Sequence, residues 1–164
     1  MKKPSILAHL RDIILLPFTV TVIVPYLIGG WTGDRILWMM LVGVPVGLIG
    51  VIFLFYTIRL FGLLGEGTLA PWHPTQKLVV AGPYRYVRNP MISGVFFILL
   101  GESLFFNSRP LAYWVALFFV INTTYFILME EPSLEDRFGD DYREYKKHVR
   151  RWIPRLSPYK PANT

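Results

Sequence analysis

The chain has 164 residues, 53% of them hydrophobic, 16% aromatic and only 17% charged, too apolar a balance for a soluble domain of this length. One bilayer-embedded domain is the composition's first implication. A formal net charge of +6 would suggest a nucleic-acid partner in a soluble protein, but here the basic residues crowd the segments between apolar runs, where anionic headgroups lie, and no nucleic acid is expected. The absence of cysteine excludes disulfides and thiolate chemistry, and His9, His73 and His148 are too scattered to predict a metal site.

The chain opens Met-Lys-Lys, yet no small-residue cleavage site follows the first apolar run, so that run is expected to stay as a span. Four stretches approach or reach the roughly 20 residues a helix needs to cross a hydrocarbon core. They cover 13–31, 36–58, 90–106 and 111–129. Pro17, Pro25 and Pro45 lie inside the first two and predict kinks, which lipid-embedded helices tolerate when neighbours rescue the freed carbonyls. The links 32–35 and 107–110 are so short that each predicts an antiparallel hairpin. Of the 17 Lys and Arg, only Arg35 and Arg109 fall in those two links, so the positive-inside rule places both termini, the loop 59–89 and the tail 130–164 in the cytoplasm. Gly43, Gly47 and Gly50 permit close helix packing, and Glu102, about a turn from the outer end of its span, reads as snorkelling to the interface.

Beyond Met129 the residues Leu134, Phe138, Tyr142, Tyr145 and Val149 recur three or four apart with charge between them, which predicts an amphipathic helix on the membrane or over the loop. Pro132 predicts a break from the fourth span, and Ser133 with Asp136 predicts an N-cap. Arg150, Arg151, Trp152 and Arg155 read as headgroup anchors, and 158–164 as a disordered end. The expected fold class is an all-α membrane protein of four transmembrane helices plus a C-terminal cytoplasmic amphipathic helix. Nothing in the pattern sets an oligomeric state.

Polar chemistry gathers in two places. Gly82-Pro83 dictates a turn, and Asn89-Pro90 forces an extended residue before a helix start. Between them Arg85 and Arg88 alternate with Tyr84 and Tyr86, putting cations and rings beside a helix N-terminus that itself favours anions. A carboxylate or phosphate suits that place, and so does a plain positive-inside anchor. The second constellation is Glu130-Glu131, which reads either as a solvated pair or as the partner of a bound sulfonium or ammonium. Asn122, Thr123 and Thr124 suit a pocket wall or interhelical hydrogen bonds.

On these residues the chain resembles the superfamily of isoprenylcysteine carboxyl methyltransferases and phospholipid methyltransferases. The resemblance covers roughly Gly67 to Pro154 and rests on Leu78-Val79, on Gly82-Pro83-Tyr84-Arg85-Tyr86-Val87-Arg88-Asn89-Pro90, on Glu130-Glu131, and on Leu134, Phe138-Gly139, Tyr142, Tyr145 and the stretch Arg151 to Pro154. It implies S-adenosylmethionine as cofactor and a lipophilic small-molecule or lipidated acceptor reached from the bilayer. Carried over by position, Gln76, Lys77, Leu78 and Val79 would wall the adenosine with Tyr84 beside them. Asn89, Pro90, Met91 and Ile92 would meet the cofactor at the helix start, and Glu130 would contact it. For the acceptor two roles stay open: Glu131 would take the proton of an amine, or Arg88 or Arg85 would orient a carboxylate. Three positions depart from the family pattern: Asn89 stands for a histidine, Ile92 for a tyrosine, and Phe126 for the arginine that prenylcysteine enzymes use. A membrane reductase with a nicotinamide cofactor and a non-catalytic lipid- or cofactor-binding module are the competing readings.

Overall fold

The structure, a computed structural model, describes residues 14–64 and 78–161. It is all-helical, without strands among the described residues. Helix α1 is a widened, π-type coil over Ile14–Ile23 that tightens into an α-turn at Val24–Leu27. The extra width falls around Pro17, whose carbonyl accepts the Thr21 hydroxyl at 2.8 Å, so the proline is absorbed by a looser coil rather than a sharp break. Helix α2, Leu37–Leu64, runs on through Pro45. Helix α3, Pro90–Phe105, and helix α4, Arg109–Tyr125, are joined by a turn in which the Ser108 hydroxyl caps α4 by accepting the Leu111 N–H at 3.3 Å.

The sequence predicts that Pro132 ends the fourth helix, and here the structure corrects it. A π-turn at Phe126–Glu130 leads without interruption into α5, Glu131–His148, and Ser133 caps nothing. A proline lacks the N–H for its i−4 carbonyl and its ring presses on that carbonyl; the widened turn just before Pro132 makes room for both. The bend comes instead at Gly139, whose φ of 54° and ψ of −128° suit only a residue without a Cβ.

Two of the four expected spans, the 24 residues Leu37–Leu60 and the helix beginning at Arg109, are long and apolar enough to cross a membrane. Pro17–Leu27 and Pro90–Phe105 are apolar but shorter. Only 17% of each long window is buried within the protein, so the apolar surface faces outward, unlike that of a soluble core helix. That surface suits lipid.

Helices α2 and α3 pack antiparallel at backbone distance. A Cβ on Gly101 would lie 2.5 Å from the Gly47 nitrogen and 2.6 Å from its Cα, and one on Gly50 would lie 2.6 Å from the Ile98 nitrogen. Gly43 and Gly94 meet the opposite backbone in the same way. Small residues let lipid-embedded helices gain close van der Waals contact where no hydrophobic drive between helices exists. Around this seam lies one core, Leu54, Val95, Leu99, Val115 and Phe118, with the Trp114 indole donating to the Val20 carbonyl at 3.1 Å to hold α1. A second core, Tyr142, Tyr145 and Val149 of α5 and its extension, packs on Leu78, Val80 and Tyr159. The predicted amphipathic face therefore lies over the loop. Tyr159 also corrects the expectation of a disordered end: it packs on Tyr145 and stacks on His148, while 162–164 lie outside the described residues.

The seam is asymmetric, since a Cβ on Gly47 would make only an ordinary 3.8 Å contact with Gly101. Gly101→Ala is therefore expected to cost about 3 kcal/mol, the upper end for overpacking, whereas Gly47→Ala stays within about 0.5 kcal/mol of wild type. Equilibrium unfolding of both variants in one detergent checks the difference.

Candidate functional site

The site is built where the loop, the start of α3, the start of α5 and the C-terminal segment converge. Gly82, with φ of 52°, opens a 3-10 turn over Gly82–Arg85, and the amides of Tyr86 and Val87 bond back to the Pro83 carbonyl at 2.9 and 3.1 Å. The stretch that follows pairs with the C-terminal segment. Arg88 N–H donates to the Arg150 carbonyl at 3.0 Å, Arg155 N–H to the Tyr86 carbonyl at 3.0 Å, and Tyr159 N–H to the Arg85 carbonyl at 2.9 Å. The Arg85 Nε adds a bond to the Tyr159 carbonyl at 2.6 Å, and the Tyr145 hydroxyl donates to the Tyr84 carbonyl.

At the centre lies Glu131, only 4% exposed. Its Oε1 takes Arg151 Nε at 2.7 Å and Arg88 Nη1 at 3.2 Å, and its Oε2 takes Lys146 Nζ at 3.2 Å. Arg88 also reaches the Tyr142 hydroxyl at 3.3 Å. Burial alone would push the Glu131 carboxyl up, but the Arg151 hydrogen bond and the charges of Arg88, Lys146 and Arg151 outweigh it and hold the group below the usual carboxylate range. Held that way, Glu131 is a weak base. Its neighbour Glu130 goes the other way: burial pushes it up, against the pull of Arg137 and of the Tyr125 hydroxyl at 3.4 Å.

Several polar side-chain atoms are buried and lack a partner among the described residues: Arg88 Nε, Asn89 Nδ2, Thr123 Oγ1, Trp152 Nε1 and Arg155 Nη1. Asn89 precedes α3 with φ of −117° and ψ of 58°, turned in from the extended conformation that the sequence predicts, as its carbonyl accepts from Ser93 N–H and Oγ at 3.1 and 3.0 Å; its side chain does not cap the helix. A buried donor without an acceptor costs roughly 1–3 kcal/mol, so Arg88 Nε and Asn89 Nδ2, neighbours at the start of α3, are donors that a ligand carrying acceptors would satisfy. Beside it an apolar cavity of about 200 Å³ is walled by Phe53, Ile92, Phe96, Phe118, Phe119 and Trp152.

The residues singled out in sequence divide accordingly. Arg88, Asn89, Pro90, Ile92 and Glu131 come together around the start of α3. Leu78 packs beneath α5, Tyr84 accepts the Tyr145 hydroxyl of that helix on its carbonyl, Val79 is buried, and none of the three lines the cavity; Met91 joins the membrane core, and Gln76 and Lys77 lie outside the described residues. Asn122 bonds to the Phe118 carbonyl of its own helix at 2.8 Å, and Glu102 is half-buried with Oε2 unpartnered, so neither follows its simplest sequence reading. Sequence reasoning passed over Arg151, Lys146 and Trp152. The first two are ordinary charges in a basic tail, and Trp152 reads as an interfacial anchor until the tail is seen to fold back, where its ring meets Phe119 at 5.3 Å and Phe126 at 5.9 Å.

Comparison with known proteins identifies the family. The model of the phospholipid methyltransferase family matches residues 38–141, more than half of the chain and both constellations, and the chain belongs to that family. Among curated proteins it is similar to methanethiol S-methyltransferase 1 of Bradyrhizobium diazoefficiens, at 34% identity over 96 residues, 56% of this chain and 30% of that protein. It is also similar to an uncharacterized protein of Haemophilus influenzae, at 36% identity over 63 residues, 38% of this chain and the whole of that protein. The chain thus spans under a third of the named methyltransferase's length. No solved structure matches.

Because the folded Glu131 titrates below the ordinary glutamate value of about 4.3, its contribution to stability is fully present above that value and is lost as pH falls through the folded one. Thermal unfolding in detergent should show Glu131→Gln less stable near neutral pH by about 3 kcal/mol, the low end for a broken buried pair, since only Arg88 is left deeply buried. The gap should narrow as the pH is lowered below the ordinary glutamate range.

Proposed function

We propose that the protein is an S-adenosylmethionine-dependent integral membrane methyltransferase with four spans and both termini cytoplasmic, acting on a hydrophobic or lipid-like acceptor at that face. Family membership and the named relative support methyl transfer over the reductase and non-catalytic readings. The observation that carries the cofactor is the cluster of buried, unpartnered donors at the N-terminus of α3, Arg88 Nε and Asn89 Nδ2. Their charge and placement suit a carboxylate, which the helix end also favours. Glu130, half-buried nearby in sequence to the cation hub, suits the ammonium. Gln76, Lys77, Leu78, Val79 and Tyr84 belong to the adenosine side by family likeness, and Pro90, Met91 and Ile92 to the helix start.

S-adenosylmethionine, when bound, supplies an electrophilic methyl group. The chain's part is positioning and exclusion of water. Glu131 acts through Arg88: it fixes Nη1 and leaves Nε for the ligand, so we assign it a positioning role in place of the proton-accepting one. Asn89 donates without ever becoming cationic, which keeps the carboxylate site independent of pH near neutrality. Two short apolar helices, α1 and α3, span with the long pair by packing against them, and the charge asymmetry supports a site on the inner face.

Calorimetry with S-adenosylhomocysteine tests the reading. Wild type should bind, Asn89→His should retain binding, and Asn89→Leu, which spares the Glu131 hub, should bind at least about tenfold more weakly, one charge-assisted hydrogen bond. Absence of binding to folded wild type, or undiminished affinity in Asn89→Leu, would contradict it.

A further inference from the structure

The aromatic cavity has a different chemistry from the donor cluster beside it. Of the residues that line it, only Ser93 and Trp152 carry a hydrogen-bonding side chain, and the Ser93 hydroxyl proton is already given to the Asn89 carbonyl at 3.0 Å. Trp152 brings the donor that is left over, an indole N–H that is buried and has no acceptor among the described residues. A zwitterionic, hydroxyl-rich cofactor would leave most of its polar groups unpaired in such a chamber, at a cost of several kcal/mol. A compact apolar body with one lone pair would leave nothing unpaired.

Resting on the methyltransferase reading, we infer that this chamber seats the methyl acceptor, that the acceptor is a compact, ring-sized apolar molecule or moiety with a single hydrogen-bond acceptor, and that Trp152 is the residue that selects it. Volume sets the size. An apolar cavity of about 150 Å³ holds benzene, and this one, at about 200 Å³, admits one ring with a short substituent. Phe97 of α3 and Phe119 of α4 are the most exposed lining rings, at 36% and 38%, and they mark an entrance from the apolar surface. Trp152 is held from outside the membrane core. The chain is bonded to the loop on either side of it, at Arg150 and at Arg155, and Arg151 is tied to Glu131. Between those fixed points Trp152 and Pro154 form the chamber wall that the helices leave open. The same tail thus completes the polar hub and closes the apolar chamber.

Fluorine NMR of 4-fluorobenzonitrile and 4-fluorotoluene, with the full chain in nanodiscs and empty nanodiscs as blank, tests this. The two rings match in size, and only the nitrile carries a good acceptor. Wild type should bind the nitrile saturably and about tenfold more tightly than the toluene, the effect of one buried hydrogen bond. Trp152→Phe, which keeps an aromatic wall and loses the donor, should bring the nitrile to the toluene's level while S-adenosylhomocysteine binding by calorimetry is retained. Trp152→Ala should admit 4-fluoronaphthalene-1-carbonitrile, which wild type excludes. Equal affinities in wild type, no saturable binding, or an unchanged preference in Trp152→Phe would overturn the inference. Displacement of the nitrile by S-adenosylhomocysteine would also overturn it, since the chamber would then belong to the cofactor. Saturable, Trp152-dependent nitrile binding without any S-adenosylhomocysteine binding would instead defeat the methyltransferase reading and leave the chamber's selectivity standing.

Discussion

A carboxylate that is 4% exposed cannot stand alone next to a membrane, and Glu131 does not: three cations from three parts of the chain converge on it. Arg88 comes from the loop before α3, Lys146 from the far half of α5, and Arg151 from the tail. Those same segments also meet in the second core, where Tyr142, Tyr145 and Val149 pack on Leu78, Val80 and Tyr159. The ion cluster ties them together beside that core, so the polar end of the molecule is organised around a buried charge as well as a hydrophobic contact. Removing the carboxylate would leave Arg88 buried and unbalanced, so the loop and tail are bound to stay together or separate together.

The apolar end follows the opposite logic. There the bilayer supplies no driving force for helices to associate, and glycines on α2 and α3 bring the two backbones into direct contact. The seam gives the helix pair a rigid relation, which fixes where α3 begins and so where Asn89 and Arg88 lie. The candidate site occupies the boundary between these two regimes. Polar donors face it from the loop, aromatic rings face it from α3 and α4, and the tail supplies the last wall. A membrane methyltransferase of the kind proposed meets a water-soluble donor and an apolar acceptor at one place, and this boundary offers both environments side by side.

Much of this was legible in the residues. Apolar runs and charge asymmetry marked the helices, the three-and-four spacing of Leu134, Phe138, Tyr142, Tyr145 and Val149 marked the face that becomes the second core, and Arg88, Asn89 and Glu131 stood out by their chemistry. What was hidden depends on long-range pairing or on backbone latitude. Pro132 looks like a helix stop because the compensating π-turn has no sequence signature, and the bend at Gly139 is a single residue among many glycines. The tail's return onto the loop is set by backbone hydrogen bonds between residues some sixty positions apart, as from Arg88 to Arg150, which side-chain patterns do not record. Trp152 suffered most from this, since a tryptophan among arginines reads as an interfacial anchor wherever the fold back is unseen.

The central claim is that this boundary transfers a methyl group. Membranes containing the full chain, incubated with S-adenosylmethionine labelled in its methyl group, should release label into a compact, organic-soluble product, and an Asn89→Leu chain at equal abundance should release at least about tenfold less. Label that never leaves the donor, in membranes whose protein binds S-adenosylhomocysteine, would contradict the account.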